Sequence, residues 1–354
     1  MGRFVARLRK LHHRCAPITL VARAQAGLEM EMAAAMPLDG VTHRTLEVNG
    51  IKIHVAEAGD SSGCTVLLLH GFMELWCSWQ HQLMALSRRG YRCLAPDLRG
   101  HGDSSAPASP SAYTIFHLVG DMVGLLDALA LPQVFVVGQG WGALLAWHLC
   151  QFRPERVRAL VNMNIAFMPR NPAVRPLDGF RRIYGDGYYI LRMQEPGIME
   201  AEFAGMDTKF ILKRVLTTRD TGGAALSKQW WGSTEEDIKL PPWLTEEYIG
   251  YVAGKFDHTG FAEAMNLYRC LDLNWELTAP WTTAKVMVPT KFIAGETAMS
   301  HKDPMAQDYI LKGGLKGDVP GLEEVVVIPG GGHYLHLQMA EEVTEHIYDF
   351  INKF

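Results

Sequence analysis

The chain is poor in the features that would place it outside ordinary globular chemistry. No run of apolar residues reaches the about 18 that a membrane-crossing helix needs, so no integral membrane segment is expected. The six cysteines, at 15, 64, 77, 93, 150 and 270, form no C-x-x-C pair and no cysteine–histidine group with zinc spacing. His12-His13 and His333-x-x-His336 lack further ligands nearby, so no metal or other cofactor is implied. Scattered cysteines suit a reducing compartment, each as a small buried hydrophobe, and the expected location is the cytoplasm. Positive charge is not in excess, with 34 Lys and Arg against 38 Asp and Glu, which argues against a nucleic-acid partner. With 48% hydrophobic and 20% charged residues among 354, disorder, collagen and coiled coil are excluded. What remains is a chain with a large core, able to hold an apolar pocket.

Acid is missing from the first 28 residues, which contain Arg3, Arg7, Arg9, Lys10, Arg14 and Arg23. That is the composition of an organelle transit peptide. The alternative is a disordered extension or an upstream start codon, since Met30, Met32 and Met36 follow. The expected division is a basic extension over 1–40, a first core segment over 41–166, a helical insertion over 167–283 and a second core segment over 284–354.

From His43 onward strand and helix alternate. Thr45 to Val48 and Lys52 to Ala56 read as strands around an Asn49-Gly50 turn. Thr65 to Leu69, Tyr91 to Ala95, Gln133 to Val137 and Val157 to Met163 are further strands, the apolar runs among them marking burial on both faces. Trp79 to Arg89 and Gly142 to Phe152 read as helices. Leu118, Met122, Leu125, Leu126 and Leu129 share one helical face. From Met168 to about Thr283 the chain is rich in Tyr, Trp, Pro and Gly and has no convincing strand. Pro289 to Ala294 and Glu324 to Ile328 then resume the strands, and Val343, Ile347, Phe350 and Ile351 mark a final helix. The expectation is an α/β protein, a mostly parallel sheet flanked by helices, with a helical cap inserted after the sixth strand.

The segment Gly138-Gln139-Gly140-Trp141-Gly142-Ala143 joins a buried strand to a helix. It fits the pattern G-x-G-x-x-A of dinucleotide-binding turns. That turn belongs after the first strand of its sheet, with an acid about 20 residues later for the ribose. Here it follows about the fifth strand, and the next strand ends at Asn162-Met163-Asn164. The better reading is a nucleophile elbow, in which small residues flank a nucleophile on a tight strand-to-helix turn. Gly138 and Gly142 are the small residues, and Gly140 stands at the nucleophile position. His70-Gly71-Phe72-Met73 follows an earlier buried strand, where such enzymes place an oxyanion-hole amide. Gly330-Gly331-Gly332-His333 lies between the last strand and the last helix, the place of a catalytic histidine.

Over His43 to Phe354 the chain resembles the plant-type soluble epoxide hydrolases of the α/β-hydrolase fold. The resemblance is carried by His70 to Trp79 (HGFMELWCSW), Asp97 to Ser104 (DLRGHGDS), Trp141 to Cys150, Glu195 to Ala204 (EPGIMEAEFA), Asn274 to Trp281 (NWELTAPW) and His346 to Phe354. It implies a reaction in which an elbow aspartate attacks an epoxide and forms an ester. Two cap tyrosines assist opening, and a histidine oriented by an acid activates the water that hydrolyses the ester. By this resemblance Tyr189 and Tyr268 are the tyrosines, His333 is the histidine, and Phe72 and Trp141 supply the oxyanion amides. The family's His-Asp-Trp-Gly elbow is here Gln139-Gly140-Trp141-Gly142, so the nucleophile is substituted by Gly140. The loop for the triad acid reads Gly295-Glu296-Thr297-Ala298, so Ala298 substitutes the acid. Met73 stands where the family has proline. Glu296, Asp303 and Asn164 are the nearest replacement acids or acid positions, the last because related dehalogenases can place their acid there; each also reads as an ordinary loop residue. Tyr188, Trp230, Trp231 and Trp243 read as packing or pocket wall. Two functional expectations follow. One is an epoxide hydrolase family member with pocket kept and turnover lost or reduced. The other is a non-catalytic receptor or carrier for a small lipophilic ligand.

Overall fold

The computed structural model describes residues 38–218, 238–298, 301 and 303–354. The basic leader, Cys15, Trp230 and Trp231 lie outside the described residues. Eight strands form one sheet: β1 (Val41–Val48), β2 (Ile51–Ala58), β3 (Thr65–Leu69), β4 (Arg92–Pro96), β5 (Val134–Gln139), β6 (Val157–Met163), β7 (Thr290–Gly295) and β8 (Leu322–Ile328). Their spatial order is β1-β2-β4-β3-β5-β6-β7-β8. Only β2 pairs antiparallel, with β1 on one side and β4 on the other; the remaining ladders are parallel.

The β1–β2 hairpin closes in two residues, with Val48 opposite Ile51. Asn49 and Gly50 take φ of 49° and 77°, the left-handed pair that matches strand twist in such a turn. Every residue of β3, β4 and β5 is buried, as continuous apolar runs in a two-face-covered sheet require. Helices α1 (Gln80–Arg88), α2 (Ile115–Ala128) and α3 (Trp141–Phe152) return the chain between strands. The last helix, Ala340–Ile351, buries Val343, Ile347, Phe350 and Ile351, the face its periodicity marks.

Between β6 and β7 the described residues contain helices only: α4 (Pro176–Tyr184), α5 (Tyr189–Arg192), α6 (Ile198–Phe203), α7 (Thr208–Thr218), α8 (Glu246–Thr259), α9 (Ala262–Arg269) and α10 (Leu271–Leu277). Aromatic rings join this insertion to the sheet. Trp76 Nε1 donates to the Tyr251 hydroxyl at 3.0 Å, and His101 meets Phe256 edge-on at 6.2 Å. Cys77, Cys93, Cys150 and Cys270 are free and buried. Cys64 departs from the expected role, because it is disulfide-bonded.

His101 gives the fold an acid-sensitive joint. Burial, reinforced by repulsion from His70, holds its ring neutral down to about 3. An unfolded histidine titrates near ~6.5. Between those values the unfolded chain binds a proton that the folded chain refuses, so stability falls as pH drops. From about pH 6 to about pH 4 this one residue should remove roughly 2 to 3 kcal/mol. Chemical denaturation across that range, on the protein and on His101→Phe, should give a pH slope shallower by about one proton in the variant. Equal slopes would show that the ring is protonated in the fold.

Candidate functional site

The turn from β5 to α3 has the tight geometry of an elbow. Gly140 takes φ 56° and ψ −124°, a conformation that glycine reaches without strain. Its flanking glycines are packed hard. A Cβ on Gly142 would stand 2.0 Å from the Leu69 carbonyl oxygen, and one on Gly138 2.4 Å from Asn162 Oδ1. Absence of side chains there is what lets α3 close on β3. Gly140 itself is different. Beyond Gln139 and Trp141 on either side, a Cβ on it would meet, among the described residues, only Gly71 Cα at 3.2 Å and His333 Nε2 at 3.9 Å within 4 Å. The structure therefore brings His333 to the elbow position, with the His70–Met73 turn beside it.

Tyr268 is the centre of an aromatic cluster that includes Trp141, the residue after Gly140. Its ring meets Phe72 at 5.0 Å and Trp141 at 5.2 Å, both edge-on, and Tyr189 at 5.9 Å. These four residues and His333 are all buried. The four rings join four segments distant in sequence: the turn after β3, the start of α3, α5 and α9. The backbone amide of Trp141 is at the first position of its helix, where no intrahelical acceptor exists. Tyr188 packs behind, stacked on Tyr184 at 4.3 Å, and burial beside Tyr189 and Tyr184 pushes its phenol up. Trp243 lies near Tyr334, whose ring meets His333 edge-on at 5.0 Å.

The loop that carries His333 is held by its backbone. Gln139 Nε2 donates to the His333 carbonyl at 2.6 Å, and Asn164 Nδ2 donates to the same oxygen at 2.9 Å. Asn164 Oδ1 accepts the Gly295 amide at 2.8 Å, so its amide is engaged at both ends. Ala298 is fully buried at the end of the β7 loop, which bonds the glycine loop through Thr297 N and Oγ1 to the Gly331 carbonyl, 2.8 and 2.9 Å. Glu296 is exposed and accepts the Gly330 amide at 2.9 Å. Asp303 caps Pro304–Leu311, accepting from the Met305 and Ala306 amides. The carboxylates of Glu296 and Asp303 are therefore committed to backbone donors.

Met73 takes φ 62° in the His70–Met73 turn, a value that proline's ring forbids. The turn thus differs in backbone from one built on proline at that position.

Several supports were not marked by the sequence. Glu74 Oε2 accepts the Gly71 amide at 2.9 Å, and its other oxygen lies 3.0 Å from His336 Nε2, both side chains fully buried. It fixes the residue nearest to Gly140. An acid inside the apolar string HGFMELW was the available signal. His70 Nδ1 donates to the Gly71 carbonyl at 2.8 Å while its Nε2 accepts the Leu98 amide at 2.9 Å. That pairing fixes its tautomer, and burial pulls its pKa down. Gln194 Nε2 donates to the carbonyls of Ile190 and Tyr268, 2.8 and 3.0 Å, and so ties together the two tyrosine-bearing helices. One group with metal-ligand chemistry occurs among the described residues, His54, Asp97 and Asp103. Its atoms serve internal bonds: Asp97 accepts from His54 Nδ1 at 2.8 Å and from the Trp76 amide at 2.9 Å. Asp103 pairs with Lys255 at 2.7 Å.

Comparison with known proteins agrees with this architecture. Residues 65–340 match the alpha/beta hydrolase fold family. The chain is 52% identical to Epoxide hydrolase 1 of Siraitia grosvenorii over 317 residues, 90% of this chain and all of that protein. It is 34% identical to Epoxide hydrolase A of Mycobacterium tuberculosis, over 88% of this chain and 97% of that one. The crystal structure of an epoxide hydrolase from Vigna radiata is 52% identical, with a TM-score of 0.85 over 90% of this chain and 99% of that chain. A laboratory-evolved variant of potato epoxide hydrolase is 49% identical, with a TM-score of 0.84 over 89% of this chain and all of that chain. No helix among the described residues is long and apolar enough to cross a membrane. With half of its residues shared over the full length of such relatives, and with their fold, the chain belongs to the plant epoxide hydrolase family of α/β-hydrolases.

Proposed function

We propose that this protein binds a small lipophilic epoxide, or a molecule of that shape, between the sheet and a cap formed by residues 167–283, and that it does not turn the epoxide over by the family route. The observation that carries the reading is Gly140 at the elbow, open toward His333 Nε2. Glycine has no side chain to attack the ring carbon, so no ester to the chain can form there. The aromatic cluster supports the binding half of this reading. Tyr189 and Tyr268 supply two phenols for a ring oxygen, and Phe72, Trp141 and Tyr268 supply buried aromatic walls. The deacylating half is incomplete, because Ala298 can neither orient His333 nor balance the charge of its protonated ring.

Substitution at both ends of one mechanism favours a receptor or carrier over a slow enzyme. A lone loss of the nucleophile would leave the acid in place. Binding and turnover separate the readings. Styrene oxide and an epoxidised fatty acid should perturb the fluorescence of the site's tryptophan, Trp141, while diol forms no faster than in buffer. Diol formation at typical enzyme rates, on the order of 1 to 10³ per second, would overturn the loss-of-turnover reading.

A further inference from the structure

The open position at Gly140 is bounded and buried. Gly71 Cα at 3.2 Å forms one wall, His333 Nε2 stands at 3.9 Å, and, Gln139 and Trp141 on either side aside, no third atom of the described residues lies within 4 Å of a Cβ placed there. The other two elbow glycines offer no comparable room, with contacts of 2.0 to 2.7 Å. The slot therefore lies where a nucleophile's side chain would begin, next to Trp141, which belongs to the Tyr189–Tyr268–Phe72–Trp141 cluster.

We propose that this slot admits a short monocarboxylate, of the size of formate or acetate, and that with such an anion the protein opens an epoxide to a β-hydroxy ester. The proposal rests on the epoxide-binding reading given above. One carboxylate oxygen attacks a ring carbon and forms the new C–O ester bond. The ring C–O bond breaks, and its electron pair goes to the epoxide oxygen. That oxygen takes a proton from the Tyr189 or Tyr268 hydroxyl, and water reprotonates the phenolate. Nothing is oxidised or reduced, and the balance is one epoxide, one carboxylate and one water to one hydroxy ester and one hydroxide, which the buffer takes up.

The route avoids both substitutions together. The nucleophile is supplied from solution, so Gly140 is an opening rather than a loss. The ester is not attached to the chain, so product leaves without deacylation, and Ala298 imposes no stall. Holding the two reactants side by side replaces an encounter in water by a positioned attack. The wall at Gly71 sets a size limit, which excludes branched acids such as pivalate.

The test uses the full chain with styrene oxide in sodium acetate or formate, against sodium chloride of equal ionic strength. Products are separated by chromatography and weighed by mass spectrometry, with the carboxylate reaction in the absence of protein subtracted. Epoxide loss should rise about tenfold or more and saturate with acetate, and the product should be the hydroxy ester. Pivalate should have no effect, Tyr268→Phe should slow the reaction, and Gly140→Asp should abolish its dependence on acetate. Equal rates in acetate and chloride, with the epoxide still perturbing tryptophan fluorescence, would overturn this proposal and leave the binding reading intact. Absence of any fluorescence response to the epoxide would overturn the binding reading itself.

Discussion

Gly140→Asp should give a protein that captures one epoxide and then stalls. The new carboxylate would extend from a position whose nearest neighbours are Gly71 Cα and His333 Nε2. Tyr189 and Tyr268 would assist ring opening, and an ester to the chain would form. Its hydrolysis needs His333 as base, and Ala298 gives that ring no carboxylate. In triads of this kind, loss of the orienting acid costs about 10⁴-fold in rate. The expected result is a burst of one equivalent of epoxide consumed, followed by a plateau, with the mass of the substrate added to the protein. Ala298→Asp in the same chain should release the plateau. The β7 loop that ends at Ala298 is already bonded to the glycine loop that carries His333 through Thr297 and Gly331. The single change strains the backbone, since φ 56° is a left-handed value for a residue with a Cβ, at a cost of about 1 to 3 kcal/mol. A thermal melt separates that cost from catalysis. If the single variant turns over freely, another acid serves His333, and Glu296, Asp303 and Asn164 become the residues to replace. Their present bonds argue against this, because Glu296 and Asp303 accept backbone amides and Asn164 holds the His333 carbonyl rather than its ring. A double variant that folds and neither forms an adduct nor turns the epoxide over would remove the support for an epoxide-shaped pocket.

The site was legible where its signal is local, and silent where it depends on contact between distant segments. The buried strand Thr65–Leu69, the Asn49-Gly50 turn and the elbow glycines each announce themselves within a few residues, through apolar runs or turn chemistry. The position of His333 follows from chain order, between the last strand and the last helix. Gln194 is different. Its amide bridges Ile190 and Tyr268, 74 residues apart from it in the second case, and no periodicity marks a glutamine for that task. Asn164 is, from its place after β6, one of three candidate acid positions that also read as ordinary loop residues. Its side chain instead spans Gly295 and His333, 131 and 169 residues away, and fixes the loop by hydrogen bonds to the backbone. The Glu74–His336 pair was invisible for the same reason. A buried acid and a buried histidine are each costly alone, and only their meeting across the fold makes either tenable.

Gly142→Ala should abolish folding, while Gly140→Ala, two residues earlier, should leave a stable protein. Both are single methyl additions to the same turn, so composition and propensity treat them alike. Their surroundings do not. At Gly142 the methyl would stand 2.0 Å from the Leu69 carbonyl oxygen, 2.3 Å from its carbon and 2.7 Å from the His70 oxygen. All three belong to the backbone of β3 and the turn that follows it, which cannot move aside as a side chain can. Relief requires α3 to lift away from the sheet, and with it Leu145, Ala146 and Leu149, which are fully buried. Displacements of that kind exceed the usual range of point mutations, at about 4 to 5 kcal/mol or more, against a total stability of roughly 5 to 15 kcal/mol. At Gly140 the methyl meets only Gly71 Cα at 3.2 Å and His333 Nε2 at 3.9 Å, so its cost is left-handed strain of about 1 to 3 kcal/mol and a slight yielding of one neighbour. Expression in the soluble fraction and thermal melting of the two variants side by side test the contrast. Gly140→Ala should melt a few degrees below the parent, and Gly142→Ala should yield little or no folded protein. If Gly142→Ala melts beside the parent, α3 is not clamped on β3, and the elbow loses the rigid packing that holds Gly140 against Gly71 and His333.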